Sequence, residues 1–93
     1  MVNMTKSLKD LYSVGPAAVK DFYILGITTV DQLRKKDAKI LYDELCAATR
    51  VRHDPCVIDV FRAAIEQAKN PALEPEKCRW WYWTRVRKQG KKQ

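Results

Sequence analysis

Apolar residues recur along this chain at intervals of three and four positions, and apolar and polar residues do not alternate over any useful length. This spacing is typical of α-helices that bury one face, and it predicts no β-strand. Short helices joined by brief loops assemble into a compact all-α bundle. We therefore predict five or six short helices that form a single domain over residues 1–84.

Capping signals place the first two helices. The first is predicted at roughly residues 5–12, with Thr5 as its N-terminal cap. Proline is favoured at the first position of a helix and glycine just after the last one. The second helix should therefore begin at Pro16 and end at Gly26. Its predicted inward side chains are Val19, Phe22, Tyr23 and Leu25.

Three more helices are predicted by the same kind of signal. Thr29 and Gln32 form a capping box for a short third helix. Asp37 is the expected cap of a fourth helix, and Asp54-Pro55 opens a fifth, which an Asn-Pro pair should end. The predicted inward residues are Ile40, Leu41, Leu45 and Ala48 in the fourth helix, and Val57, Ile58, Phe61, Ala64, Ile65 and Ala68 in the fifth.

The stretch LYSVGPAA at residues 11–18 joins the first two predicted helices. Gly15 permits backbone conformations closed to other residues, and Pro16 starts the next helix at once. The first N–H groups of a helix lack internal partners and lie at the positive end of its dipole, where they bind anions. We expect a phosphate to bind here, and the alternative is a purely architectural hairpin. The expected donors are the backbone N–H groups of Gly15, Ala17 and Ala18, beside the hydroxyl of Ser13.

The longer stretch LYSVGPAAVKDFYILGI resembles the helix-hairpin-helix motif, which binds DNA phosphates. Leu11 matches the anchoring apolar residue of the motif, Val14 the apolar residue that plugs the hairpin, and Gly15 its second glycine. Leu25-Gly26-Ile27 matches the end of the second helix. The chain departs from the motif at Ser13, which stands where the first glycine is expected.

Together with GITTVDQL, DAKILYDELC, VRHDPCVIDVFRAAI and RWWYW, this stretch is similar to the pathogenicity-locus family of small bacterial proteins, some of which are labelled mitomycin-resistance proteins. The resemblance covers roughly residues 5–84. It implies a helix-hairpin-helix fold, which is related to sterile-alpha-motif-like domains. It implies DNA binding only through the motif. The hairpin half is also similar to the C-terminal domain of competence regulators.

The positive charge is concentrated at one end of the chain. The net charge is +7, from 18 basic and 11 acidic residues, and no acid follows residue 76. We expect residues 85–93 to form a disordered basic tail. Such a localised excess attracts polyanions. The alternative is a tail that only keeps the protein in solution.

Four consecutive aromatic residues, Trp80 to Trp83, precede the cations Arg85 and Arg87. They belong to a last helix, predicted from about Pro75. Side chains at successive helix positions fan out around the axis, so the four rings cannot all face one core. Most are expected to close the open side of the core. Exposed rings beside arginine would suit stacking on unpaired bases or an interface with a protein.

Cysteine and histidine suggest little chemistry. Cys46, His53, Cys56 and Cys78 lack the paired spacing of a zinc site, so we predict no metal and no cofactor. Cys56 lies close to His53 at a helix start, but no third orienting group or oxyanion donor is recognisable, so we predict no enzyme. Three cysteines without paired spacing, no signal peptide and no apolar stretch of about 18 residues predict a cytoplasmic protein.

These patterns predict a non-catalytic, sequence-independent DNA-binding module without a membrane or a small-molecule substrate as partner. The hairpin would hold a phosphate, with Lys9 supplying nearby charge, and the basic segment from Arg79 onward would add contacts. The predicted DNA-binding residues are Ser13, Val14, Gly15, Ala17, Ala18, Lys20, Arg85, Arg87 and Lys88. The alternative is a protein–protein interaction adaptor that uses the same fold and the Trp cluster. Cations on the hairpin face would favour DNA, whereas Asp10 and Asp21 around it would favour the adaptor.

Overall fold

The computed structural model describes residues 7–90, which form five α-helices and two 3₁₀-helices and contain no β-strand. The α-helices are α1 (Pro16–Ile24), α2 (Val30–Leu33), α3 (Ala38–Thr49), α4 (Cys56–Lys69) and α5 (Trp80–Gly90). The 3₁₀-helices, Leu8–Asp10 and Pro75–Cys78, precede α1 and α5. The predicted all-α class is therefore confirmed. None of the helices in this part of the chain combines the length and apolar character needed to cross a membrane.

Helix α4 lies at the centre of the fold, where it packs against α2, α3, α5 and the second 3₁₀-helix. Phe61 of α4 is fully buried, and its ring centroid lies 4.9 Å from that of the buried Phe22 of α1. Full burial of a phenylalanine contributes about 1.5–3 kcal/mol to folding. Four of the six α4 positions predicted to face inward are buried, and Val57 and Ile58 pack against the core while half-buried.

The predicted caps of α2 and α3 are confirmed. The Thr29 hydroxyl accepts a hydrogen bond from the Gln32 N–H, and the Gln32 side chain accepts one from the Thr29 N–H. The Asp37 carboxylate accepts one from the Ile40 N–H at 3.0 Å. Gly26 follows α1 in the left-handed conformation, with φ of 81°, as expected for a glycine that ends a helix.

The structure differs from the prediction at the first helix. Among residues 7–12, only Leu8–Asp10 is helical, as a single 3₁₀ turn. Thr5, the predicted cap, lies outside the described residues. This 3₁₀-helix ends because Leu11 is extended and Ser13, two residues later, adopts a positive φ. The segment before α1 is thus flanked by a 3₁₀-helix and an α-helix, whereas two α-helices were predicted. The helix-hairpin-helix assignment therefore stays a prediction.

Three side chains predicted to face inward are exposed. Tyr23 follows the buried Phe22, and Ile40 precedes the buried Leu41. Adjacent residues of a helix are about 100° apart around its axis, so neither side chain lies on the buried face. Ala48 lies three positions after the buried Leu45 and still faces solvent. Apolar residues therefore extend beyond the buried stripe in both α1 and α3.

The end of the chain also differs from expectation. The helix predicted from Pro75 is divided into a 3₁₀-helix and α5, because Arg79 between them is extended. Residues 85–90, expected in a disordered tail, form the last turns of α5. Their physical anchor is Arg87, which pairs with a buried carboxylate of α4. Residues 91–93 lie outside the described part of the chain.

Candidate nucleic-acid interface

The turn before α1 uses an unusual backbone conformation at Ser13, not at Gly15. Ser13 has φ of 69°, in the left-handed region that favours glycine. Gly15 has φ of −94° and ψ of −177°, which any residue adopts, and a Cβ atom added there would meet no atom within 4 Å. The prediction that Gly15 supplies the special conformation is therefore wrong. Residues before proline prefer this extended region, which explains the geometry of Gly15.

The hydroxyl of Ser13 joins the turn to the start of α5. It donates a hydrogen bond to the carbonyl of Cys78 at 3.0 Å and accepts one from the N–H of Trp80 at 2.9 Å. It thereby satisfies one of the first N–H groups of α5, which a helix cannot satisfy itself. The hydroxyl is thus used inside the protein and does not point toward a phosphate as we expected.

A buried glutamine fixes the turn to α4. The side-chain oxygen of Gln67 accepts from the N–H of Tyr12 at 2.9 Å, and its nitrogen donates to the carbonyls of Tyr12 and Ala63. This amide satisfies both backbone groups of Tyr12 from a residue 55 positions away. Gln67 was not among the residues predicted to matter for the turn. Its only signal is a polar residue between the apolar positions Ile65 and Ala68 of α4.

The first turn of α1 is open to solvent. Val14 is buried in the core, as predicted for the residue that plugs the hairpin, while Gly15 and Ala17 are exposed and Ala18 is half-buried. The N–H of Val19 donates to the carbonyl of Gly15 at 3.0 Å. The N–H groups of Ala17 and Ala18 precede it in the first turn, where no carbonyl of α1 can accept from them.

Arg79, which was predicted only as part of the basic C-terminal segment, lies beside this turn. The guanidinium carbon of Arg79 is 5.3 Å from the ring centroid of Tyr12, which is 55% exposed. Lys20 is exposed and lies three positions after Ala17, on the same side of α1. The turn therefore has cations on both the α1 and the α5 side.

The outer face of α5 combines an aromatic ring with positive charge. Trp81, Arg85 and Lys88 are exposed and spaced by four and three positions, so they lie along one side of the helix. The guanidinium carbon of Arg85 lies 5.4 Å from the Trp81 ring centroid, and Arg85 also pairs with the exposed Glu76 at 3.3 Å. We call the exposed set Gly15, Ala17, Lys20, Arg79, Trp81, Arg85 and Lys88 the hairpin–α5 surface.

Arg87, predicted to bind DNA, is part of the internal structure instead. Its Nε and Nη2 atoms donate to the two carboxylate oxygens of Asp59, at 2.9 and 3.0 Å. Asp59 is 1% exposed and also accepts from the hydroxyl of Thr84 at 2.6 Å. The hydrogen bonds to Asp59 raise the pKa of Arg87 above its ordinary value. With two N–H groups paired and its side chain only 22% exposed, Arg87 is less accessible to a phosphate than the exposed Arg85.

Among the four consecutive aromatic residues, Trp83 best matches the expectation that these rings cover the open side of the core. Its indole N–H donates to the carbonyl of Lys77 at 2.7 Å, and the guanidinium carbon of Arg62 lies 4.5 Å from its ring centroid. Trp83 is half-buried, whereas Trp80 and Trp81 are 38% and 45% exposed. The run of aromatics therefore divides between an inward ring and an outward surface.

His53 and Cys56, considered together from the sequence, each interact with other side chains. His53 Nε2 lies 2.9 Å from the hydroxyl of Thr49, which donates its own proton to the carbonyl of Leu45. Hydrogen bonding with Asp54, and then burial, raise the pKa of the Cys56 thiol. A raised pKa disfavours the thiolate. Within residues 7–90, no group of three or more His, Cys, Asp and Glu side chains could hold a metal ion.

Comparison with known proteins identifies the family. The chain belongs to the family described as Pathogenicity locus, whose profile matches residues 2–89. It is also 37% identical over 81 residues to a protein of Streptomyces lavendulae named mitomycin resistance protein McrB, a match that covers 87% of this chain and 73% of that protein. No solved structure matches the chain. The family resemblance recognised from the sequence motifs is confirmed.

Proposed function

We propose that this protein is a non-catalytic, sequence-independent DNA-binding module that uses the hairpin–α5 surface. The observation that carries the proposal is the bridge made by Ser13, which hydrogen bonds to both Cys78 and Trp80. Through this bridge the start of α5, with Arg79 immediately before it, lies beside the turn that precedes α1. A helix N-terminus beside arginine is a favourable environment for a phosphate.

The groups exposed on this surface are suited to binding the phosphates of the DNA backbone. The N–H groups of Ala17 and Ala18 can donate to phosphate oxygens, and the small side chain of Ala17 lets a phosphate approach closely. Arg79, Lys20 and Lys88 supply charge, and these contacts carry no sequence information. The exposed ring of Trp81 adds a face on which an unpaired base can stack.

The balance of charge near the turn favours DNA over the adaptor. Asp10 is exposed and accepts a hydrogen bond from the N–H of Ser7 at 3.0 Å, which leaves its charge in place, so two acids face the three cations Lys9, Lys20 and Arg79. Asp21 is half-buried, whereas Lys9 and Lys20 are exposed. Arg79 adds a positive charge beside Tyr12 that the sequence did not assign to the turn.

The test is fluorescence anisotropy of labelled single- and double-stranded DNA across a salt series, with Ala17→Glu as the key variant. A glutamate in the first turn stabilises α1 through the helix dipole, so the fold should persist. It also places negative charge where the phosphate would sit, and we expect at least about tenfold weaker binding, since juxtaposed like charges cost several kcal/mol.

The matched control is Ala48→Glu, which makes the same change of charge at an exposed position of α3. Binding of the parent protein should weaken steeply with salt, with a logarithmic slope of about −0.9 per phosphate contact. If both glutamate variants bind like the parent, the first turn of α1 is not the phosphate site. If the parent binds neither form of DNA, the proposed function is wrong.

A further inference from the structure

A groove of about 1040 Å³ lies between α3, α4 and α5 and shares no lining residue with the hairpin–α5 surface. Helices α3 and α4 run antiparallel along it, since a short loop joins them and Lys69 at the end of α4 lies near Lys35 before α3. Beside its charged residues, the groove is lined by six apolar or aromatic side chains that are buried or half-buried. These are Ala38, Tyr42, Cys46, Ile58, Ile65 and Trp83.

The acidic side chains of this groove already have partners. Asp43 pairs with Lys39 at 3.0 Å, and Asp59 pairs with Arg87 at 2.9 Å. Glu66 contacts both Arg62 and Lys69. The remaining acid, Asp37, accepts from the N–H of Ile40 and caps α3. Three of the four acids are thus paired with cations, and Asp37 keeps its charge. The lining still carries an excess of positive charge, with seven cations against these four acids.

Three cations of the groove have no acidic partner within residues 7–90. Lys36, Arg50 and Arg52 are exposed and take part in no ion pair of the described chain. Lys36 precedes α3, whereas Arg50 and Arg52 follow it. The 12 residues of α3 span about 18 Å, so the unpaired charges lie at the two ends of the groove.

Arg50 occupies a position where glycine would be favoured. It ends α3 with φ of 57°, the left-handed conformation in which most helix C-caps use glycine. Its side chain makes no hydrogen bond or ion pair with residues 7–90 that would offset the conformational cost. An arginine is therefore held at a strained position with its charge directed to the surface, which supports a role in binding.

We propose that this groove between α3, α4 and α5 binds an acidic amphipathic helix of a partner protein. Its apolar face would pack on Ile58 and Trp83, and its acidic residues near both ends would pair with Lys36 and with Arg50 and Arg52. A helix is favoured because α3, which borders the groove, is about 18 Å long, a length that roughly three turns of a bound helix would match. The apolar lining and the excess of unpaired positive charge together define an acidic, amphipathic occupant.

The experiment selects ligands from a phage-displayed library of random peptides of about 16 residues, long enough to cover the groove as a helix. The full 93-residue chain is the bait. Counter-selection uses a double variant, Arg50→Gly with Arg52→Ala. We expect enriched peptides to carry apolar residues spaced by three and four, with Asp or Glu near both ends. Amide chemical shifts of groove residues such as Ala47, Val51 and Ile58 should change when these peptides bind.

Arg50→Gly separates binding from stability. Glycine relieves the left-handed strain, so unfolding stability should be maintained or increased. Binding of an enriched acidic peptide should weaken about fivefold, which corresponds to loss of one charge pair at a surface. A peptide whose Asp and Glu residues are replaced by Asn and Gln should not respond to this substitution.

Lys20→Ala provides the crossed control, because Lys20 lies outside the groove. It should leave peptide binding unchanged and weaken DNA binding, whereas Arg50→Gly should do the reverse. The groove proposal is overturned if no peptide is enriched, if the enriched peptides are neutral or basic, or if their chemical-shift changes fall outside the groove. None of these results bears on DNA binding, so the two proposals can fail independently.

Discussion

The carboxylate of Asp59 on α4 holds the guanidinium of Arg87 on α5 through two parallel hydrogen bonds of 2.9 and 3.0 Å. Asp59 is almost fully buried, and α5 itself contains no fully buried residue. This ion pair, the Ser13 bridge and the contacts of Trp83 are therefore the main polar attachments of α5 to the rest of the fold. The position of the hairpin–α5 surface depends on them.

Arg87→Ala should destabilise the protein strongly. It leaves the Asp59 carboxylate buried without its cation, and breaking a buried pair in this way costs about 3–5 kcal/mol. Arg85→Ala removes an exposed pair with Glu76 and should cost less than about 1 kcal/mol. Urea denaturation followed by circular dichroism measures both. Equal losses for the two variants would show that the Asp59–Arg87 pair does not hold α5.

The predictability of this fold depends on how far apart the interacting residues lie in the chain. The caps of α2 and α3 involve residues three positions apart, so local patterns were enough to place them. The Asp59–Arg87 pair joins residues 28 positions apart, and no local pattern indicates that an acidic residue on α4 is buried. Residues 85–90 were expected to be disordered because the pairing of Arg87 with Asp59, which holds them in α5, could not be recognised from the sequence.

The candidate site was predictable in part for the same reason. The exposed start of α1 and the plug residue Val14 follow from a local motif. The Ser13 bridge joins residues 67 positions apart, and the contact of Gln67 with Tyr12 joins residues 55 positions apart. These contacts decide which side chains are free to bind a ligand. Local patterns therefore identified the turn before α1 but not the internal hydrogen-bond partners of Ser13 and Arg87.

Gly15→Ala should be tolerated, in contrast to Gly26→Ala. Gly15 has an ordinary extended conformation with open space around it, so alanine should stabilise the fold by about 0.4–1 kcal/mol through the unfolded state. Gly26 has φ of 81°, so alanine there should destabilise the fold by about 1 kcal/mol or more. Thermal denaturation of the two variants checks the opposite signs. A large loss for Gly15→Ala would mean that the turn requires glycine there after all.

Alkylation of Cys56 should be slow at neutral pH. Because the pKa of Cys56 is raised, its thiolate is a smaller fraction at neutral pH than that of an ordinary cysteine. The hydrogen bond with Asp54 is the largest cause, so Asp54→Asn should lower the pKa and speed the reaction with iodoacetamide. Peptide mass spectrometry over a pH series resolves Cys56 from Cys46 and Cys78. Rapid alkylation of Cys56 near neutral pH in the parent protein would reopen the nucleophile interpretation.

Ser13 can be probed with two substitutions that separate its backbone from its hydroxyl. Ser13→Gly removes the hydrogen bonds to Cys78 and Trp80 but suits φ of 69°, so the two effects partly offset each other. Ser13→Ala loses the same bonds and keeps the strain, and it should be less stable than Ser13→Gly by about 1 kcal/mol. Chemical denaturation gives this order.

DNA binding by these two variants tests whether the bridge matters for the proposed function. If the hydroxyl serves to join the turn to α5, both variants should bind DNA more weakly than the parent even where Ser13→Gly keeps its stability. The reason is that Arg79, next to Trp80, would no longer be held beside Tyr12 in the turn that precedes α1. Unchanged DNA binding by a stable Ser13→Gly protein would show that the turn and α5 act separately, and the cations of α5 would then account for binding without the hairpin.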